Sequence, residues 1–551
     1  MEEITTATQP KKTMTVPLAV LLVVVLLAGL TAYYFILRAG SANDPAAYLP
    51  KDVAVAVTID LTGSSEKQAA LDYVTGILKD AGVKDPQKEL FKRINDEIGI
   101  DFEADVLRHL TGQGAFAVLT EMNGQTPKIV AVVSTKAASD AQTVMTTLGD
   151  KLNSRKVSFD RKEYSGFYYY GIPSGTMTSY VAQVEASVVY SNSETGIKKV
   201  MDTAKGQPSL LTDKNFTSMR KTGGSTFATL YYTGAGYYKL VSPMLAMGLT
   251  QMGPNATDAM KANIENAIAI VGNAEASSKG LTFHVKSVTK QPLPSPKNAS
   301  MDSLASVAPR DAALVFSVAD WSAVWNVIKE QYTNNPAFKP QLDQGVGQVK
   351  QMLGLDIYGD VLDRITALGV YYVPKRAASS QGLPGDITLV LTVDKPDVLR
   401  TSLSKINGAL TMFGGIPVKE VDVAGTKVSM ASMGTSGVEF ADALVGNKVL
   451  IMISGTGIRQ SALAAVTVTK GGGTNASSSP GFELVKGQLP SEGAGLFYGN
   501  AAPIVETFKN DIPASDRKSF VAVTNKVGVC GAASYTSASG AESTFVVPFL
   551  K

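Results

Sequence analysis

The side chains able to do chemistry are few, and their spacing assembles no known site. Two histidines, His109 and His284, and one cysteine, Cys530, stand in a chain of 551 residues. A lone thiol excludes an internal disulfide, a cysteine-rich zinc site and an iron–sulfur cluster. A Ser-His-Asp triad would need one of the two histidines as base, and neither sits beside a Gly-x-Ser-x-Gly elbow. Ser64-x-x-Lys67 with Lys221-Thr222-Gly223 matches part of the penicillin-binding serine enzyme set, but the Ser-x-Asn element between them is missing. Ser402-x-x-Lys405 and Ser515-x-x-Lys518 repeat the first element, which marks it as chance. A Cys-His pair would need Cys530, whose setting VGVCGAASY reads as a strand holding a small apolar residue. Two carboxylates could converge for glycosidase chemistry, yet nothing selects a pair.

Asp101, Glu103 and Asp105 alternate like a calcium loop. The glycine such a loop needs is Val106, however, and a second copy of the stretch puts Tyr358 in place of Glu103. Helix capping by Asp101, with Asp105 complementing the positive helix end, is the better reading. A Gly196 or Gly457 turn between strand and helix could hold an anion, but the rest of a phosphate loop is missing. The aromatic run Tyr164, Phe167, Tyr168, Tyr169, Tyr170 is expected to be a hairpin turning at Ser165-Gly166 rather than a sugar platform. The chain therefore reads as non-enzymatic, with no catalytic, cofactor-binding or metal-ligating residue assigned. A net charge of +3 gives no field for nucleic acid.

The elements that would position any site begin with a membrane anchor. Val16 to Leu37 runs without a charge, long enough to span a bilayer core of about 30 Å. Lys11 and Lys12 precede it, Tyr33, Tyr34 and Phe35 sit near its far end, and Arg38 closes it. The charge bias predicts a cytoplasmic tail at 1–15, a transmembrane helix at 16–38 and an extracytoplasmic bulk, with a cleaved signal as the rival. A linker at 39–47 follows.

The remainder says everything twice. GIDFEADVLRHLTGQGAFAV (99–118) and GLDIYGDVLDRITALGVYYV (354–373) align without a gap, sharing Gly99/Gly354, Asp101/Asp356, Asp105/Asp360, Thr111/Thr366 and Gly114/Gly369 among others. The apolar stripes Val106, Leu107, Leu110 and Val361, Leu362, Ile365 predict an amphipathic helix, and Gly114 and Gly369 a turn after it. KIVAVVSTK matches DITLVLTVDK, Ser193-x-Thr195-Gly196-Ile197 matches Ser454-x-Thr456-Gly457-Ile458, and LTFHVKSV matches STFVVPFL, all in the same order. We expect two tandem α+β repeats at 48–290 and 301–551, each an antiparallel sheet with packed helices, joined by a proline-containing linker at 291–300.

The anchor followed by Tyr48-Leu49-Pro50-Lys51-Asp52-Val53-Ala54, the Gly-x-Asp…Asp-Val-Leu…Thr-Gly stretch and Ser193-Glu194-Thr195-Gly196-Ile197 through Gln207-Pro208-Ser209-Leu210 to Asn215-Phe216 resembles bacterial domain of unknown function 3352. That resemblance implies a bacterial envelope protein, usually membrane-anchored, and imports no site residues. The expected function is binding or scaffolding a protein partner in the envelope. A carrier or sensor of a lipid or other apolar ligand is the alternative, marked by a continuous apolar cavity lined by both sheet and helices. A hydrolase with an unrecognised carboxylate pair comes last.

Overall fold

The computed structural model describes residues 44–80, 101–123, 126–154, 156–174, 177–249, 264, 266–293, 296–333, 339–375, 384–432, 438–455, 457–526, 528–537 and 539–550. The tail, the anchor at 16–38 and the start of its linker lie outside the described residues. Among the described residues, no helix is long and apolar enough to cross a membrane.

Short apolar runs cut by turn residues fold as twenty strands of one sheet. The first ten are β1 (Val53–Asp60), β2 (Leu110–Asn123), β3 (Thr126–Thr135), β4 (Asp160–Tyr164), β5 (Phe167–Ser174), β6 (Met177–Val184), β7 (Ser187–Ser191), β8 (Thr226–Thr233), β9 (Ala267–Ser277) and β10 (Gly280–Thr289). The last ten are β11 (Leu314–Val318), β12 (Ile365–Pro374), β13 (Gly385–Val393), β14 (Val418–Val423), β15 (Thr426–Ser432), β16 (Glu439–Val445), β17 (Lys448–Ser454), β18 (Gly495–Asn500), β19 (Val529–Ser537) and β20 (Gly540–Pro548). Neighbours pair antiparallel in the order β4-β5-β6-β7-β3-β2-β1-β8-β9-β10. The second set pairs as β14-β15-β16-β17-β13-β12-β11-β18-β19-β20. Adding ten to a strand's number gives the strand in the same place of the other half.

The two runs meet where β10 pairs with β20, and Phe283 lies opposite Phe545 at the middle of that seam. Correspondence reaches individual contacts. Tyr164 to Phe167 turns through Ser165 and Gly166 at φ 49° and 78°, and Val423 to Thr426 through Ala424 and Gly425 at φ 48° and 69°. Both are the left-handed two-residue turns that match strand twist, so the aromatic run is the expected hairpin. Tyr231 sits edge-on to Phe216 at 5.3 Å, and Tyr498 edge-on to Phe482 at 5.4 Å, each pair buried. Isolated bridges join Pro50 to Ser209 and Pro309 to Asn475.

The helices fall between the strands: α1 (Ser65–Asp80), α2 (Ala138–Ser154), α3 (Glu194–Ala204), α4 (Lys214–Met219) and α5 (Gly234–Leu249) in the first half. The second half has α6 (Met301–Ala305), α7 (Trp321–Thr333), α8 (Lys339–Leu353), α9 (Pro396–Gly414), α10 (Ile458–Thr469), α11 (Pro480–Lys486), α12 (Ala501–Phe508) and α13 (Ala514–Lys526). One sheet face, which we call the inner face, carries the two main cores. Val271, Tyr231 and Ala117 pack with Ile197 and Phe216 in the first half. Leu450, Met452 and Tyr498 pack with Ala462 and Phe482 in the second. The outer face is covered in the second half by Trp321, Leu399 and Leu403 over Leu391, Val449 and Ile451. Burying such side chains stabilises by about 1.5–3 kcal/mol each.

Two expectations need correcting. The stretch after Asp101 is a single π turn (Phe102–Val106) and a 3-10 turn (Leu107–His109), not an amphipathic helix. A segment this short is a marginal helix, and ladder pairing from Leu110 onward wins. Gly114 and Gly369 do not turn the chain. They lie inside β2 and β12, where an added Cβ would sit 3.4 Å from the Val132 carbonyl oxygen and 3.0 Å from Val307 Cγ2, so close approach is what they permit.

Candidate functional site

The duplicated stretch is a pair of reciprocal caps. The Ala104 N–H donates to Asp101 Oδ1 at 3.1 Å, and the Asp101 N–H donates to Asp105 Oδ2 at 3.1 Å. In the second copy the Gly359 N–H donates to Asp356 Oδ1 at 3.0 Å, and the Asp356 N–H to Asp360 Oδ2 at 3.1 Å. Both carboxylates of each pair thus face backbone donors in the manner of a capping box. Hydrogen bonding from Gly359, then from Lys350, holds the Asp356 carboxyl below its ordinary range. Among the described residues no group of three or more His, Cys, Asp or Glu is arranged to hold a metal ion.

The serine–lysine elements are structural where they can be seen. Lys67 is buried, its Nζ 3.7 Å from Asp60 and donating to the Thr62 carbonyl at 3.3 Å, while Ser64 accepts from the Lys67 N–H at 3.2 Å. Burial pushes that ammonium below its usual range, against the pull of Asp60. Lys221 pairs with Glu275 at 2.7 Å on β9. His284 joins the same carboxylate at 3.7 Å, and the imidazole and the ammonium together pull Glu275 down to about 2. His109 meets Asp140 at 2.6 Å and is largely covered. Cys530 faces Gly499 across the β18–β19 pair, and burial pushes its thiol up.

One polar cluster escaped sequence reasoning. Asp386, buried at the start of β13, accepts from Ser454 and Ser461 hydroxyls at 2.6 Å each and pairs with Lys375 at 2.5 Å. Serine, lysine and carboxylate in one cluster suggest nucleophilic chemistry. The carboxylate holds the hydroxyls and the ammonium at the shorter distances, and Lys375 Nζ also reaches Ser461 Oγ at 3.5 Å. The matching positions in the other half are Lys128 for Asp386, Ser193 for Ser454 and Val200 for Ser461. No pattern in the sequence pairs Lys375 with Asp386.

The exposed apolar residues are more informative. Met412 and Phe413, at the end of α9, are 78% and 66% exposed, and Met352 in the last turn of α8 is 63% exposed. Lys405, midway along α9, donates to the Gly354 carbonyl just after α8 at 2.6 Å. In the first half the matching helix α2 ends on Leu152-Asn153-Ser154, with Leu152 buried. A row of part-buried residues ending on the exposed Phe316 lies on the outer face of the sheet. Phe283, Phe545, Ala532, Phe497 and Phe316 stand in direct register on five adjacent strands, β10, β20, β19, β18 and β11.

Against this geometry, the chain belongs to the family described as Protein of unknown function (DUF3352), which matches residues 18–546. No curated protein matches the sequence. Among solved structures, TP0453 in crystal form III aligns at 10% identity and a TM-score of 0.25, over 45% of this chain and 80% of that one. Its crystal form I aligns at 10% identity and 0.26, over the same shares. Scores this low carry no argument about fold or function.

Proposed function

We propose that this is a non-enzymatic, single-pass protein of a bacterial envelope, anchored by residues 16–38 with its bulk outside the cytoplasm. In this reading residues 48–290 and 301–551 arose by tandem duplication, and the second repeat binds a protein partner. The matched strand order and paired contacts of the halves support the duplication. The observation that carries the binding reading is the difference between the twins. Where α2 ends in the exposed polar residues Asn153 and Ser154, α9 ends in Met412 and Phe413 held out in solvent. Large apolar side chains this exposed mark interaction sites, and methionine adapts to irregular partners.

A photo-crosslinking residue placed at Phe413 in intact cells tests this. One discrete protein adduct is expected there and none from the same residue at Asn153. Equal, diffuse adducts at both positions would reject the assignment. Alkaline extraction of cell membranes tests the anchor separately: the full chain should stay with the bilayer.

A further inference from the structure

We infer that the partner docks by strand addition: an extended segment reading basic-x-basic-x-apolar pairs antiparallel with the free edge of β14. The inference deepens the partner reading above and rests on it for the role of Met412 and Phe413. β14 ends the sheet of the second half and, among the described residues, pairs with β15 alone. The two-residue turn makes Val423 and Thr426 exchange both their backbone hydrogen bonds, so Val421 and Lys419 also direct theirs at β15. The N–H and C=O groups of Val418, Glu420 and Asp422 therefore point off the edge, as rungs open to another strand.

These three residues share the face on which α9 lies. Asn407 of α9 donates to Asp442 at 2.8 Å, Asp442 lies opposite Ser429, and Ser429 opposite Glu420. Gly415, at φ 61°, ends α9, and only Ile416 and Pro417 separate it from Val418. The exposed Met412 and Phe413 thus stand at the Val418 end of the edge, and the exposed Glu420 and Asp422 lead away from them. Lys427 reaches Glu420 at 2.7 Å, and Asp422 Oδ1 accepts from the Gly425 N–H at 3.0 Å, so two carboxylates share one cation there. An added strand, antiparallel like its neighbours, is matched by cations opposite Asp422 and Glu420 and an apolar residue opposite Val418.

A second copy of β14 does not fit. The register that uses all the open rungs sets Glu420 against Glu420. One rung either way sets Lys419 against Lys419 or Glu420 against Asp422, like charges every time. The twin edge differs as well. Counting back from its turn, β4 has Glu163 and Arg161 in place of Asp422 and Glu420. Phe159, in place of Val418, packs edge-on to Tyr170 at 5.0 Å.

The test adds a fluorescent peptide, Lys-Val-Lys-Val-Leu flanked by serines, to the full-length protein in detergent and reads binding by anisotropy. Binding is expected, weakened about tenfold by Glu420→Lys with Asp422→Lys while the melting curve stays unchanged. Methylating the amide nitrogen of the second lysine, which faces the edge, should abolish binding, and methylating that of either valine, which faces away, should not. No binding, or binding indifferent to which amide is methylated, overturns strand addition; a Phe413 adduct in cells would then leave the partner site standing without it. Binding with the expected pattern but no Phe413 adduct would instead reject the partner assignment and keep the edge as a strand-binding site. A dimer in sedimentation that Glu420→Lys with Asp422→Lys dissolves would give the edge to a second copy and overturn the proposal.

Discussion

Gly280 and Gly540 start the two strands of the seam, and each is wedged against the other half. They sit at φ 155° and 156°, a region L side chains rarely adopt. A Cβ on Gly280 would lie 2.7 Å from Pro548 Cα and closer still to the Val547 carbonyl oxygen. On Gly540 it would lie 2.8 Å from the Ser287 carbonyl carbon and press on that oxygen. These obstacles are backbone of a paired strand, so no side chain can swing aside. Backbone strain of about 1–3 kcal/mol and overpacking of about 1–3 kcal/mol sum to roughly 2–6 kcal/mol for Gly280→Ala, and likewise for Gly540→Ala. Gly166→Ala is the control. It too has positive φ, at 78°, but nothing lies within 4 Å of its Cβ, so only a conformational cost of about 1 kcal/mol remains. Urea unfolding followed by circular dichroism reads all three. Seam substitutions costing no more than Gly166→Ala would refute the reasoning, because the clash that separates them would not exist.

Three further outcomes are expected. Asp101→Ala and Asp356→Ala should each destabilise by about 1 kcal/mol in thermal unfolding as lost caps, and calcium should not shift the parent's melting; a calcium shift abolished by either change would restore the metal reading. Lys375→Met strands the Asp386 carboxylate and should cost about 3 kcal/mol, whereas Asp386→Val with Ser461→Val, which leaves no buried carboxylate, should cost less; the reverse order in urea would refute this account of the cluster. Glu275, held at about 2 by His284 and Lys221, contributes stability that is present above the ordinary glutamate value and lost as pH falls toward 2. Glu275→Gln should therefore flatten the acid limb of a stability–pH curve below about pH 4.5, and an unchanged limb would remove Glu275 from it.

Much of the fold was legible because the chain states it twice. The Ser165-Gly166 turn, the Asp101 and Asp356 caps and the strand bearing His284 all follow from short-range rules of turn chemistry and period. The misread elements are those where a local signal met a longer-range one. Val106, Leu107 and Leu110 have helical spacing, yet Leu110 pairs with Thr135 and the ladder takes the segment. Gly114 looks like a turn because a glycine's need for space cannot be told from its need for φ without the neighbour, here Val132, on the adjoining strand. The Asp386 cluster was invisible for the same reason. Lys375, Asp386, Ser454 and Ser461 come from two strand ends, a following loop and a helix, and only pairing brings them together. Met412 and Phe413 sit in an apolar-looking helix, and nothing local says that they point away from the core.

The register at the seam also bears on assembly. Because Phe283 and Phe545 occupy corresponding places and face one another, the edge offered by β20 has the register to meet a copy of itself, though Glu542 then stands where the seam has Gly280. A chain reduced to its second half would carry that edge unpaired, and two such chains could close it in the same alignment about Phe545, at a strength set by their concentration. Carrying both edges on one polypeptide replaces that mass-action equilibrium with a fixed local concentration. The joined sheet then forms at any expression level, while its two sides differ, Met412 and Phe413 ending α9 where Asn153 and Ser154 end α2.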